Sequence, residues 1–148
     1  MNCTNHFVIN TEAAIYKEGR WLVGVRGKNE GHAAGVLSLI GGTVEHTDPL
    51  VDTLESAIAR EVQEEIGITV KVVGLVNDTS FVSKKGNHVI NIVLLCEVVS
   101  GNPEITSPEE LESLEWLTSE EITNHVATTK WLCDSIKIAA KLVSERIN

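Results

Sequence analysis

The chain of 148 residues has only three cysteines, Cys3, Cys96 and Cys133, and they lie far apart in the sequence. An odd number at wide spacing excludes a disulfide framework and fits no zinc site. We therefore expect Cys96 and Cys133 to be small hydrophobic residues of the core.

Long hydrophobic runs and positive charge are also scarce. No run approaches the roughly 20 residues of a membrane-spanning helix, and the N-terminus lacks the basic start of a signal peptide. The sequence therefore predicts a cytoplasmic protein with no membrane partner. Lys and Arg number 12 against 21 Asp and Glu, a net charge of −9, which argues against nucleic acid as the main partner. An anionic small substrate would need a metal ion to bridge it to this protein.

The chain has three prolines, no repeat and no low-complexity tract, so nothing in it marks an interdomain linker. Its length is typical of one domain. A hydrophobic content of 43% with 22% charged residues is ordinary for a globular protein. We expect a single domain over residues 1–148.

Strand and helix patterns follow one another along the chain and predict an α/β fold. Helices are predicted from a capping box at residues 118–121 and over residues 130–147. The last helix is expected to pack through one face, formed by Trp131, Ser135, Ile136, Ala139, Leu142 and Val143. Residues 27–35 form a polar loop of the kind that carries function. Apolar and β-branched residues predict strands at 7–16, 21–26, 36–40, 69–76, 88–99 and 114–117, the fifth of them central.

A further helix is predicted over residues 49–66, and its carboxylates occupy positions where a helix is normally apolar. Glu61 and Glu65 fall inside the stripe that packs on the core, and Glu64 flanks it. Like charges at such spacings cost about 0.2–0.5 kcal/mol per pair, and the C-terminal end of a helix disfavours negative charge. A hard divalent cation, Mg²⁺ or Mn²⁺, would relieve this repulsion. The alternative is a solvated helix end in which Arg60 pairs with Glu64. The apolar stripe consists of Leu50, Leu54, Ala57, Ile58 and Val62.

Two positions compete for the start of this helix. Asp48 can be the N-cap with Pro49 at the first helical position. Asp52 can instead be the N-cap with Glu55 in a capping box. We favour Asp48, because Leu50 then continues the apolar stripe in register.

Together with Gly-Gly-Thr-Val-Glu at residues 41–45, this segment resembles the signature of the Nudix hydrolases. Residues 60–68, Arg-Glu-Val-Gln-Glu-Glu-Ile-Gly-Ile, match its second half completely. The first half departs from it, because four residues are inserted, Asp48 or Asp52 stands at the acid position, and Ile40 replaces the usual Pro. The resemblance implies an α/β/α sandwich with a mixed central sheet. It also implies metal-dependent hydrolysis of a diphosphate linkage in a nucleoside diphosphate derivative.

The resemblance also suggests roles for individual residues. Glu61, Glu64 and Glu65 would present oxygens to Mg²⁺, with the Gly41 carbonyl as a backbone ligand. Arg60 would orient a metal-binding Glu, and otherwise forms a simple surface ion pair.

Other residues are assigned from their place in the sequence. Asp48 or Asp52 would brace the network around Arg60. Arg26, at the end of a predicted strand, is a candidate phosphate contact. Gly42 would let the backbone approach a metal or phosphate closely. Glu45 faces either the metal or the solvent.

A general base is still needed, because a metal-bound carboxylate is a poor proton acceptor. Glu97 is one candidate, since it ends an otherwise apolar strand. Glu109 and Glu110, in an acidic segment, are the others. The competing function is a Nudix-like domain that binds a nucleotide or a partner without cleaving it, and a homodimer is possible in either case.

Overall fold

The computed structural model describes residues 5–27 and 35–147. Cys3 and residues 28–34 of the polar loop lie outside this range. Within the described range, three helices pack around one sheet, namely α1 (Thr53–Ile66), α2 (Ser119–Thr123) and α3 (Lys130–Ile147). The strands are β1 (Val8–Lys17), β2 (Arg20–Arg26), β3 (Leu37–Ser38), β4 (Ile40–Thr43), β5 (Thr69–Val82), β6 (His88–Ser100) and β7 (Leu111–Leu117).

The sheet is mixed, with the strand order β3-β2-β1-β6-β5. β1 and β6 are parallel, from Val8 opposite Val89 to Tyr16 opposite Glu97, and the other pairs are antiparallel. β4 pairs with β1, and β7 pairs with β2. β6 lies between β1 and β5, as its apolar sequence predicts for a central strand.

Alternating residues of the central strands enter two separate cores, because successive side chains point to opposite faces of a sheet. On one face, Ala13 and Ile15 of β1 pack with Ile58 and Val62 of α1. On the other face, Ala14 packs in a cluster that includes residues of α2 and α3. The predicted α/β/α sandwich with a mixed central sheet is confirmed.

β1 and β2 pair only next to their connecting turn, at Tyr16 with Trp21 and at Lys17 with Arg20. Beyond it the two strands diverge. β1 then pairs with β4 over residues 10–13, and β2 pairs with β3 and β7. The divergence opens the sheet beside the ends of β2 and β4.

The predicted start of the first helix is wrong. α1 begins at Thr53, and residues 48–52 are irregular. Asp52 is the N-cap residue, but it has a left-handed backbone with φ 55° and its side chain makes no capping hydrogen bond, so the alternative capping box is absent too. The inserted residues therefore form a loop, and Leu50 and Val51 are 97% and 76% exposed instead of extending the apolar stripe.

Other predictions differ in detail. β5 continues to Val82, beyond the predicted end at residue 76, because pairing with β6 extends over polar residues that hide the strand pattern. On α3, Leu132 is buried and Trp131 is 64% exposed, because the buried stripe follows Leu132, Ile136 and Ala139. The capping box at Thr118 is confirmed.

The two described cysteines differ in burial. Cys96 is a buried core residue as predicted, whereas Cys133 is half-buried. Within the described residues, no helix has the length and apolar character needed to cross a membrane.

Candidate active site

A cleft of about 330 Å³ opens where β1 and β2 diverge. It brings together residues from five parts of the chain that are distant in sequence. Six further lining residues were not predicted, namely Asn10, Glu12, Ser38, Leu39, Thr43 and Leu111. The predicted site residues that line it are Arg26, Gly41, Gly42, Glu45, Glu61, Glu65 and Glu110.

The two glycines of β4 allow the close packing around this cleft. Gly41 lies opposite Glu12 of β1, and a Cβ there would overlap the Thr11 backbone carbonyl. A Cβ on Gly42 would overlap the Glu61 carboxylate. Backbone packing therefore requires the first glycine, and the second lets a carboxylate of α1 lie directly on β4.

Arg60 organises the side chains beside the cleft. Its Nε donates to Asp48 Oδ1 at 3.0 Å, and Nη2 donates to Asp48 Oδ2 at 3.1 Å. Its Nη1 donates to Glu61 Oε1 at 3.0 Å, and Nη2 also reaches the Thr43 carbonyl at 3.2 Å. This two-pronged contact identifies Asp48 as the acid that braces the network.

Asp48 is fixed from its own loop as well. The Glu45 amide donates to Asp48 Oδ2 at 2.7 Å. The Arg60 hydrogen bond and this amide hold the pKa of Asp48 below its usual value. Asp48 is consequently a stable anionic support for the guanidinium.

Three carboxylates, those of Glu61, Glu65 and Glu110, form what we call the acid cluster of the cleft. Burial is the main cause that raises the pKa of Glu65 to about 8, and the charges of Glu110 and Glu61 add to it. The charge of Arg26 and a hydrogen bond from the Gly41 amide lower the pKa, but their effects are smaller. Burial also raises the pKa of Glu61, although Arg60 opposes this. A negative charge on Glu61 or Glu65 is therefore poorly compensated by its protein neighbours.

These donors fit a hard divalent cation, which prefers carboxylate oxygens. Within residues 5–27 and 35–147, no three acidic, His or Cys side chains are already arranged as a metal-binding group. We infer the fit from the donor type and the poorly compensated charge, because no coordination shell is preformed.

Glu64 is not among the residues that line this cleft. Its side chain is 60% exposed, and its Oε2 lies 3.4 Å from Arg60 Nη1. Glu61 and Glu65, by contrast, line the cleft. Glu64 forms the ion pair with Arg60 that is expected if the end of the helix is solvated.

Of the candidate bases, the structure brings Glu110 to the cleft. The Gly27 amide donates to the Glu110 carbonyl at 2.8 Å. Upstream, the Glu104 and Thr106 amides donate to the last carbonyls of α1, both at 3.0 Å. These contacts tie the segment carrying Glu110 to the helix that carries the other acids.

Glu97 lies elsewhere. It is opposite Tyr16, four residues along β1 from Glu12, which corresponds to about 13 Å. Its Oε1 pairs with Arg146 of α3 at 3.4 Å, beside a separate cavity of about 230 Å³. The structure does not bring Glu97 to the acid cluster.

A protein-family model matches most of this chain. The family model described as NUDIX domain matches residues 7–134. The chain belongs to the Nudix family of hydrolases. The resemblance seen in the sequence is confirmed.

Individual relatives are distant in sequence but similar over most of their length. A MutT-like protein of Streptomyces ambofaciens is 33% identical over 122 residues, covering 82% of this chain and 70% of that protein. The nucleoside triphosphatase NudI of Klebsiella pneumoniae is 27% identical over 119 residues, covering 75% and 82%. The structure of a MutT protein from Methanosarcina mazei matches with a TM-score of 0.77 and 25% identity, covering 95% and 97%.

In this Nudix protein, a cluster of polar side chains that the sequence did not reveal also lies at the cleft. Glu12 and Asn10 of β1 line it, and Asn91 of β6 hydrogen-bonds to both. Burial raises the pKa of Glu12, and Asn91 and Arg26 partly offset this. Polar residues inside otherwise apolar strands were the available signal, because burying such groups carries a cost unless they are satisfied or used.

Proposed function

We propose that this Nudix hydrolase cleaves a diphosphate linkage in a nucleoside diphosphate derivative and requires Mg²⁺ or Mn²⁺ for the reaction. The observation that carries the proposal is the convergence of Glu61, Glu65 and Glu110 with Arg26 in one cleft. The names of relatives, a nucleoside triphosphatase and a MutT-like protein, support a nucleotide substrate. Cytoplasmic location, a single domain over residues 1–148 and a homodimer stay predictions.

Glu61 and Glu65 would hold the cation, with Glu64 and the Gly41 carbonyl as further oxygen donors. When bound, the cation would neutralise charge on the diphosphate and lower the pKa of the attacking water. Glu64 must leave Arg60 to take part, which its exposed side chain permits.

The other residues position these groups. Arg60 orients the Glu61 carboxylate, and Asp48 fixes the plane of the guanidinium. Arg26 supplies a positive charge for a phosphate oxygen. Glu45 lines the cleft 3.8 Å from Arg60 Nη1, and with Gly42 it would form the wall against which the substrate lies.

Glu110 is our proposed general base. It lines the same cleft as the metal-binding acids, and its exposed side chain is free to accept a proton from water. Glu97 is left out of the proposal, because it pairs with Arg146 beside another cavity.

The first test is metal dependence. Purified protein incubated with nucleoside triphosphates, dinucleoside polyphosphates, nucleotide sugars or ADP-ribose is expected to release phosphate, pyrophosphate or a nucleotide when Mg²⁺ or Mn²⁺ is present. EDTA should abolish the release, and added Mg²⁺ should restore it. Turnover that persists in EDTA, or no divalent binding by calorimetry, would contradict the proposal.

The second test concerns the two hydrogen bonds that Arg60 donates to the Asp48 carboxylate. Arg60→Lys keeps the positive charge but loses the planar pair of donors. We expect kcat/KM to fall about 10-fold to 100-fold, as is usual for residues that orient a metal ligand. Arg20→Lys is the matched control, because Arg20 forms an exposed ion pair with Glu121 at 3.2 Å. Equal kinetics for Arg60→Lys and Arg20→Lys would show that the contact between Arg60 and Asp48 has no positioning role.

A further inference from the structure

Asn10, Glu12 and Asn91 form a chain of side-chain hydrogen bonds on two central strands, which we call the polar end of the cleft. Asn10 Nδ2 donates to Asn91 Oδ1 at 2.6 Å. Asn91 Nδ2 donates to Glu12 Oε1 at 2.6 Å. Asn10 lies directly opposite Asn91 in the parallel pairing of β1 and β6.

The neighbours of these residues make the polar end unusual. Ala14 follows on the same face of β1, and Val93 and Leu95 follow Asn91 on β6, all within the core on the α3 side. Polar side chains at such positions are costly to desolvate. Glu12 has no ion pair among the described residues, and the neutral Asn91 side chain donates to it at the wall of the cleft.

Chemistry determines the direction of this hydrogen-bond chain. The Asn91 side chain can donate only through its NH₂ group, so this group is turned towards Glu12 and Oδ1 is turned towards Asn10. Asn10 in turn must present its own NH₂ group to Asn91. Both ends of the chain are therefore acceptors, namely the Glu12 carboxylate and Asn10 Oδ1, and the carboxylate has lone pairs left for a ligand.

The polar end is placed to meet the part of a substrate that is attached to its phosphates. Arg26 lines the same cleft as Glu12 and Glu65, and its charge acts on both acids. Glu12 shares its face of β1 with Ala14, on the α3 side, while α1 carries Glu61 and Glu65 on the opposite side. A ligand with its diphosphate at the acid cluster would reach this end along the same cleft.

We propose that Glu12, held in place by Asn91 and Asn10, determines base specificity by accepting two adjacent N–H groups of the nucleobase. Guanine offers this pair in its ring N1–H and 2-amino group. Adenine and cytosine place a ring acceptor beside their amino group, which the carboxylate repels. Hypoxanthine keeps the ring N–H but lacks the amino group. The inference rests on the proposed nucleotide substrate and names the class of base within it.

The test compares guanine, hypoxanthine and adenine nucleotides at equal Mg²⁺. Kinetics are measured with GTP, ITP and ATP, and binding is measured by calorimetry with GMP, IMP and AMP in EDTA. We expect GTP to exceed ITP in kcat/KM by about 10-fold or more, because a hydrogen bond to a charged acceptor is lost. GMP should bind more tightly than IMP by a similar factor, and the adenine nucleotides should be poorest.

Glu12→Gln is the diagnostic variant, because glutamine has the same shape but presents one acceptor and one donor. The GTP-to-ITP ratio is expected to fall towards one, and the ATP-to-GTP ratio is expected to rise. Glu115→Gln, on an exposed position of β7, is the charge-matched control and should keep the wild-type ratios. Melting temperatures of both variants check that they fold.

The outcomes separate this inference from the proposed function. Mg²⁺-dependent turnover with equal GTP and ITP kinetics, or a Glu12→Gln variant that slows all nucleotides equally, would overturn the specificity role and leave the hydrolase standing. A GMP preference that disappears in Glu12→Gln, without turnover of any nucleotide, would support the specificity role and contradict the hydrolase proposal. Absence of both binding and turnover would contradict both.

Discussion

Replacing Glu65 by Gln is expected to lower kcat/KM by about 10³-fold, because a carboxylate oxygen for the cation is lost where charge must be neutralised. The fold should not suffer. Burial and the charges of Glu110 and Glu61 make the ionised form of Glu65 unfavourable in the absence of a cation. Glu65→Gln therefore removes an unfavourable contribution to the free energy of folding.

The same variant should change how stability depends on pH in EDTA. The pKa of Glu65 is raised from 4.5 to about 8 in the folded protein. The stability contributed by its protonated form is therefore complete below about pH 4.5 and is lost as the pH rises through about 8. Between these values, the melting temperature of the wild type should fall more steeply with pH than that of Glu65→Gln.

Glu55→Gln is the matched control, because Glu55 is an exposed acid in the first turn of the same helix. It should keep wild-type turnover and wild-type pH dependence. A loss of stability in Glu65→Gln with turnover intact would mean that the carboxylate serves the fold. Parallel pH curves for Glu65→Gln and the wild type would contradict the electrostatic account of the acid cluster.

The second large effect is expected from the two glycines of β4, which should respond differently to alanine. Gly41→Ala sets a Cβ against the backbone of Thr11, which cannot move without disturbing the pairing of β1 and β4. We expect a loss of about 3 kcal/mol or more in the free energy of unfolding, since overpacking against backbone is among the costly mechanisms.

Gly42→Ala meets the end of the Glu61 side chain instead, and that side chain can rotate away. The loss of stability should stay within about 1 kcal/mol. Displacing Glu61 from Arg60 should weaken Mg²⁺ binding about 10-fold or more. Urea unfolding in EDTA and Mg²⁺ calorimetry measure the two quantities separately.

Gly74→Ala is the control, because a Cβ there makes only one contact, at 4.0 Å with Leu95. It should leave both stability and Mg²⁺ affinity near the wild-type values. Unchanged Mg²⁺ affinity in Gly42→Ala would argue against Glu61 as a metal-binding residue. A Gly41→Ala variant as stable as the control would show that β4 can shift away from β1.

Local patterns predicted the regular elements well where short-range physics decides them. The capping box at Thr118 and the full extent of α3 follow from side-chain capping and from the helical repeat. The start of α1 could not be predicted in this way. Asp48 and Pro49 are a favourable local start, but Asp48 is bonded to Arg60 from a loop instead.

In the candidate site, too, local sequence patterns predicted some features and tertiary contacts decided the others. The spacing of Glu61 and Glu65 placed them on the core-facing side of a helix, and the family signature marked Arg60 and the glycines. Neither indicated which downstream acid would join them. Glu97 and Glu110 both followed plausible patterns, and only strand register and the contact between Gly27 and Glu110 separate them.

The sequence by itself determined the family, the α/β class and the helix that carries the acids, because periodicity and the signature depend on residues near one another in the chain. Tertiary structure decided which acids meet, that Asp48 holds Arg60, and that Glu12 shares the cleft. These relations join β1, β4, α1 and the segment before β7, which are far apart in sequence. Their proximity depends on strand pairing and on the divergence of β1 from β2, which no local pattern encodes.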